Sequence, residues 1–294
     1  MYYTGFADEA GADLDIQIKA TKELGWKFIE TRALMGSNLA FIDDAAFDEV
    51  CRKIDAAGIK FNSFGSGVGN WATSITESPE KSYDEIRRAV PRMQKLGIEY
   101  IRIMSFPVKD MDRYESFAEE AFTRLKTISK IAEDGGVICV LENCSGWASG
   151  SYEHTLRTLE AVNSPALKLV FDTGNPVFDD DVRKYPYKKQ DSWEFYNAVK
   201  DHIVYIHIKD GYMDGDKEAF TFPGEGNGCV KKIVKDLLKN GYDGGFSIEP
   251  HMAVVFHDQS VKSEADIRYN NYIEYGKRFM KIVDEIKNNI CSTI

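Results

Sequence analysis

Residues 2–15 read YYTGFADEAGADLD, and this stretch decides between two ways of building an α/β protein. YYTGFA is a short β-rich run. DLDIQIKATKELGW, from Asp13, carries apolar residues at helical spacing and meets a stop at Gly25. A strand feeding a helix opens both a doubly wound sheet and a closed barrel. The doubly wound nucleotide-binding sheet normally places a G-x-G-x-x-G turn at this junction, because the phosphates need close backbone approach. Here the junction reads DEAGADLD, which lacks that pattern.

Seven further runs of the same kind follow: KFIETR from Lys27, IKFNSF from Ile59, YIRIMSF from Tyr100, VICVLEN from Val137, LKLVFDTGN from Leu167, IVYIHIKD from Ile203 and GGFSIEPH from Gly244. They are spaced by about 24 to 42 residues, the room a crossover helix needs. In SYDEIRRAVPRMQKLGIEY, Ser82 is read as the cap, Gly97 as the stop and Pro91 as the start or a kink, with the charges on one solvated face. A last helix is expected through EADIRYNNYIEYGKRFMKIVDEIKNN, residues 264–289. Eight β/α units without a Pro/Ser-rich linker give the fold class: α/β, a single (β/α)8 TIM barrel domain spanning residues 1–294.

Composition narrows the function. Hydrophobic residues at 43% and charged residues at 29% describe an ordinary globular protein with a sizeable core. A formal net charge of −10 argues against a phosphate backbone as partner, so no nucleic acid is expected. No apolar run approaches the roughly 20 residues of a membrane span, and MYYTGFADEAG lacks a signal-peptide pattern. The five cysteines are scattered without a CxxC pair, as reduced thiols would be. A cytoplasmic protein without a membrane partner is the expectation.

In a parallel barrel the active site forms where the strands end. The last four runs end on Glu142, Asp172, His207 and Glu249. Strand alternation places Glu142 on a face with Ile138 and Val140, Asp172 with Lys168 and Val170, His207 with Ile203 and Tyr205, and Glu249 with Gly245 and Ser247. Leu141, Phe171, Ile206 and Ile248 take the opposite face. Taken singly, each carboxylate could equally be a helix cap and His207 a core histidine. Together, three carboxylates on one rim would repel one another unless a divalent cation joins them. Three oxygens and one imidazole suit Mn²⁺, with Mg²⁺ or Co²⁺ as alternatives, better than the thiolate-rich sites of structural zinc.

The motifs LEN, FDTGN, HIKD and IEPH resemble those of the xylose isomerase-like TIM barrel superfamily, specifically the sugar phosphate isomerase/epimerase proteins that include ketose 3-epimerases and an endonuclease IV branch. ADEAG after the first strand, ETR ending the second and PGEGNG after the seventh extend the likeness over nearly the whole chain. The resemblance implies that Glu142, Asp172, His207 and Glu249 bind the metal, and that Glu142 and Glu249 double as an acid/base pair. Carboxylates on two sides of a carbon next to a carbonyl can take a proton from one face and return it to the other. The chain departs from the pattern at Asn175, where many relatives carry a histidine that contacts substrate or a second metal. The endonuclease branch needs several further histidines. This chain has five in all, and FNSFGSG and IRIMSFP contain none.

Other residues carry alternatives. Lys209 faces the mouth by alternation and holds either a substrate oxygen or a rim salt bridge. Glu30 and Arg32 share a face and either pair together or bind a hydroxyl. Trp147 in CSGWASG is an aromatic wall for a sugar ring or loop packing. His251 supports a ligand or touches substrate. Cys144 lacks a histidine partner and is read as inert. His154, His202 and His257 are read as structural, the acidic run Asp179–Asp181 as a solvated loop, and PGEGNG as loop shaping instead of a phosphate cradle. The expected function is a metal-dependent isomerase or epimerase on a small-molecule sugar or sugar phosphate, with a homo-oligomer left open. A lyase or hydratase on 3-keto sugars or keto-glycosides is the alternative, and a sugar-binding barrel without turnover comes from another class.

Overall fold

A computed structural model describes residues 1–255 and 263–292 of the chain. All eight expected strands form. They are β1 (Tyr2–Gly5), β2 (Phe28–Thr31), β3 (Lys60–Gly65), β4 (Tyr100–Ser105), β5 (Ile138–Gly146), β6 (Leu167–Asp172), β7 (Ile203–Ile208) and β8 (Gly245–Ile248). Every neighbour pairs in parallel, in the order β1-β8-β7-β6-β5-β4-β3-β2. A bridge between Phe6 and Glu30 brings the two edges together, so the sheet is a nearly closed barrel.

The crossovers are α1 (Leu14–Glu23), α2 (Asp44–Ala57), α3 (Glu80–Leu96), α4 (Ala118–Asp134), α5 (Tyr152–Val162), the single turn α6 (Asn175–Phe178), α7 (Ser192–Val199) and α8 (Val230–Lys239). The chain continues into α9 (Ala265–Cys291). Asp13, Asp43, Ser151 and Asp191 cap α1, α2, α5 and α7 by accepting backbone N–H groups. The expectation for Ser82 is corrected. Helix α3 starts at Glu80, and Ser82 is buried with its hydroxyl accepting the Gly69 N–H at 3.1 Å. Pro91 lies inside α3, so it does not start that helix.

Alternation sorts the strand residues as the sequence predicts. Val140, Val170 and Tyr205 pack together inside the barrel, while Leu141, Phe171, Ile206 and Ile248 join the core shared with the helices. Each such side chain contributes roughly 1.5–3 kcal/mol by leaving water. The four strands therefore present their chemistry-bearing residues inward at the mouth.

Two short excursions build that mouth. After α6, Asp180–Asp181 pairs antiparallel with Lys188–Lys189. After β7, Gly211–Asp214 pairs with Lys217–Phe220. PGEGNG then wraps around a carboxylate belonging to the chain itself. Asp210 accepts the N–H groups of Gly211, Gly224, Gly226 and Gly228 at 2.7–3.1 Å. Successive backbone N–H groups make an anion nest, and here Asp210 fills it. A Cβ on Gly226 would lie 2.5 Å from Asp210 Oδ1, so close approach requires glycine there.

Candidate metal centre

Glu142, Asp172, His207 and Glu249 are all buried, and one ligand-capable atom from each lies within 4.8 Å of the other three. Their positions follow from strand register. Asp172 sits opposite His207, and His207 opposite Ser247, two residues before Glu249. Asn143 locks the end of β6 by accepting the Asp172 N–H at 2.7 Å and donating to the Asp172 carbonyl at 3.0 Å.

Each carboxylate has a basic neighbour, Lys209 being shared by Glu249 and Asp172. The Arg102 guanidinium donates to Glu142 Oε2 at 2.9 Å, Arg32 donates to Glu249 Oε1 at 2.8 Å, and Lys209 Nζ lies 3.1 Å from Glu249 Oε2. Burial opposes the charge of Glu142, but Arg102 and His207 outweigh it and hold its pKa at about 2. Glu249 is held well below the usual range in the same way, against its burial, by Lys209, His251 and Arg32. Asp172 goes the other way, since burial pushes it up to about 6. Its Oδ1 accepts the N–H groups of Gly174 and Asn175 at 2.8 and 2.7 Å. Its Oδ2 is buried without a hydrogen bond, with Lys209 Nζ at 3.3 Å.

His207 lies between two carboxylates: Nε2 is 3.1 Å from Glu30 Oε2 and Nδ1 is 3.3 Å from Glu142 Oε1. Burial disfavours the charged ring, yet Glu30 and Glu142 raise its pKa to about 10. Glu30 also accepts Ser247 Oγ at 2.6 Å, Tyr205 OH at 2.9 Å and Ser63 Oγ at 3.0 Å. When the ring gives up a proton to bind a cation, such a carboxylate behind it would keep the remaining proton on Nε2, leaving Nδ1 turned toward the cluster. The expectation that Glu30 and Arg32 pair together is overturned. Arg32 instead donates to Asp8, Glu9 and Glu249 and lies over the Phe6 ring.

Counting Asp8, Glu9, Glu30, Glu142, Asp172 and Glu249 against Arg32, Arg102, Lys209 and the His207 ring, carboxylates outnumber basic side chains six to four. The excess negative charge, the orphaned Asp172 oxygen and the oriented imidazole make a donor set that fits a divalent cation of the oxygen-preferring kind.

A cavity of about 260 Å³ adjoins the cluster, lined among others by Trp71, Asn175, Phe178, Asp179, Lys209 and Phe220. Asn175 and Lys209 thus reach both the cavity and the cluster, Asn175 by donating to Glu142 Oε1 at 3.1 Å. Two expectations are corrected here. Trp147 is fully buried, donates its indole N–H to the Tyr114 carbonyl and packs on Phe122 and His154, so it is core and no sugar wall. Trp71, 42% exposed, lines the cavity instead. Asp179 is not a solvated loop residue, for it is half-buried at the cavity and burial lifts its pKa to about 7. His251 is buried, its Nδ1 3.0 Å from Glu9 Oε1 and its Nε2 3.7 Å from Glu249 Oε1. It supports Glu249 from behind, and neither it nor Arg32 is among the described residues lining the cavity.

Burial raises the Cys144 thiol well above its usual pKa, in keeping with an unreactive side chain. His154 is structural, bonded to Ser151 and Glu115. His257 lies outside the described residues. Besides Asp8 and Glu9 of ADEAG, Arg102 is a cluster member that the sequence reading passed over. Its signal was a charge at an inward position of YIRIMSF, two residues after Tyr100. Among the described residues no helix is long and apolar enough to cross a membrane.

Residues 18–270 match the model of a family described as xylose isomerase-like TIM barrel. Inosose dehydratase 1 of Bacillus cereus is 24% identical over 188 residues, covering 58% of this chain and 56% of that protein. Fructoselysine 3-epimerase of Shigella flexneri is 22% identical over 172 residues, covering 58% of each. The chain therefore spans little more than half the length of these curated relatives. A crystal structure of a xylose isomerase-like TIM barrel protein from Mycobacterium smegmatis in complex with magnesium superposes with a TM-score of 0.66 at 18% identity, covering 91% of this chain and 88% of that one.

Proposed function

Because the chain belongs to the xylose isomerase-like TIM barrel family, we propose that it is a divalent-metal-dependent isomerase or epimerase acting on a sugar or sugar phosphate by moving a proton next to a carbonyl. The observation that carries this reading is the pair Glu142 and Glu249. Both are buried and held ionised, each anchored by a different arginine, on one rim beside one cavity. A site that only binds sugar has no need of two such bases. Glu142, Asp172, His207 and Glu249 would hold the cation, Mn²⁺ by preference with Mg²⁺ or Co²⁺ as alternatives. When bound, it supplies Lewis acidity that stabilises charge developing on a carbonyl oxygen.

The chain's own part is proton handling. One glutamate removes the proton from the carbon beside the carbonyl, and the other, which must first take up a proton from solvent, returns one to the opposite face, each step contributing about 10² to 10⁴ in rate. Asn175 and Lys209 face the cavity and contact substrate oxygens. A second reading, a dehydratase on a keto sugar, is favoured by the relatives named inosose dehydratase. The same C–H bond then breaks, and a neighbouring C–OH bond breaks with it to release water.

Proton NMR in D₂O with Mg²⁺-loaded protein and a panel of ketoses and keto sugars tests both readings. Deuterium at a carbon next to the carbonyl, with a new epimer or isomer, supports the first. An unsaturated keto product supports the second. Exchange that persists in both Glu142→Gln and Glu249→Gln would sink the roles assigned to these residues.

A further inference from the structure

Lys209 already places a positive charge where a cation would act. Its nitrogen lies 3.1 Å from Glu249 Oε2 and 3.3 Å from Asp172 Oδ2, the oxygen without a hydrogen bond. The residue is buried, and the same side chain lines the adjoining cavity.

The three basic residues of the cluster differ in how far they are committed. Arg32 is held by Asp8, Glu9 and Glu249, and Arg102 by Glu142 and the Ser66 carbonyl. Their planar forks are fixed by several bonds each. Lys209 is a compact charge on a flexible stem. Its backbone is pinned, the N–H donating to Thr173 Oγ1 at 3.1 Å and the carbonyl accepting from the same hydroxyl at 2.6 Å. The stem runs past Gly174, where a Cβ would come within 2.8 Å of Lys209 Cγ. Among the described residues, the ammonium end is held by its ion pairs with Asp172 and Glu249 alone, and the cavity lies beside it.

Building on the metal-dependent reading, we propose that Lys209 is a resident counter-ion which a divalent cation must displace, and that displacement delivers its ammonium to the cavity as the contact for a substrate oxygen. A cation taking Asp172 Oδ2 and Glu249 Oε2 would stand within a few ångströms of the ammonium, and like charges that close in a buried site repel strongly. Metal binding then comes first and completes the sugar site.

The test is calorimetric titration of the full chain with Mn²⁺ in the absence of sugar. Lys209→Met keeps the length of the side chain and removes the charge. It is expected to bind Mn²⁺ on the order of tenfold more tightly than the unmodified chain, and Mn²⁺ should raise its melting temperature by more. A lysine that merely propped up the site would give the opposite sign. Equal or weaker affinity in Lys209→Met, with binding lost in Asp172→Asn, overturns the counter-ion role and leaves the metal site standing. Binding in neither the unmodified chain nor Lys209→Met overturns the metal reading itself. Should Lys209→Met fail to fold, Lys209→Gln is titrated in its place with the same outcomes.

Discussion

Glu30 is the residue whose replacement probes most sharply how the barrel prepares His207. In Glu30→Gln the shape is kept. The amide oxygen can take the position of Oε2, still accepting His207 Nε2, Ser247 Oγ and Tyr205 OH, while the amide nitrogen faces Ser63 Oγ, which can turn to accept. One amide N–H and the Ser63 hydroxyl hydrogen lose a ready acceptor, so the fold should lose about 1–3 kcal/mol. What disappears is the charge. A hydrogen bond to an ionised partner is worth about 1.5–3 kcal/mol and one between neutral groups about 0.5–1.5. The grip on the imidazole therefore weakens by about 1–1.5 kcal/mol, and the ring loses the field that keeps Nδ1 toward Glu142. Outer partners of metal-binding histidines typically account for 10- to 100-fold in affinity. Titration with Mn²⁺ at fixed pH should show a loss in that range with the circular dichroism spectrum unchanged. Affinity within threefold of the unmodified chain, while Glu249→Gln loses binding, would refute the reasoning that Glu30 orients His207.

Four further outcomes are expected. Trp147→Ala should cost about 3–5 kcal/mol in denaturant unfolding because it empties a packed core position. Trp71→Ala should leave stability within about 1 kcal/mol and raise KM up to tenfold, as loss of an exposed aromatic contact would. Asp179 has a folded pKa raised from 3.8 to about 7, so the folded state holds its proton more tightly than the unfolded chain. Its contribution to stability falls as pH rises from about 4 to 7. Asp179→Asn should therefore stabilise the protein by about 1–2 kcal/mol at pH 8 and by nothing measurable at pH 4, as read from melting curves; a gain that is the same at both pH values would contradict this. Asp210→Ala strips the acceptor from four backbone N–H groups and should lower the melting temperature and loosen residues 223–228, as seen in faster amide exchange.

The sequence by itself determined the parts governed by short-range periodicity. A two-residue alternation in VICVLE, KLVFD, IVYIHI and GFSIE assigns one face of each strand to the interior. Eight such runs with helical spacers leave a parallel barrel as the economical closure. Glu142, Asp172, His207 and Glu249 share a rim for that reason alone, and Glu249 meets Glu142 although 107 residues separate them in the chain. Gly97 likewise acts through its immediate neighbours.

Only the tertiary structure decided which charge meets which. Arg32 shares a strand face with Glu30, yet barrel closure carries Asp8, Glu9 and Glu249 to it and gives Glu30 to His207. Loop residues were the least legible. Trp147 stands in a loop rich in Gly and Ser, the usual dress of a binding loop, and is buried because β5 continues to Gly146 and turns it under Tyr114 and Phe122. Asp179 and Trp71 reach the cavity from segments whose composition carries no periodic signal. Periodicity reports which way a side chain leaves its own strand or helix. Its partner is set by contacts between segments dozens of residues apart, and those exist only once the barrel has closed.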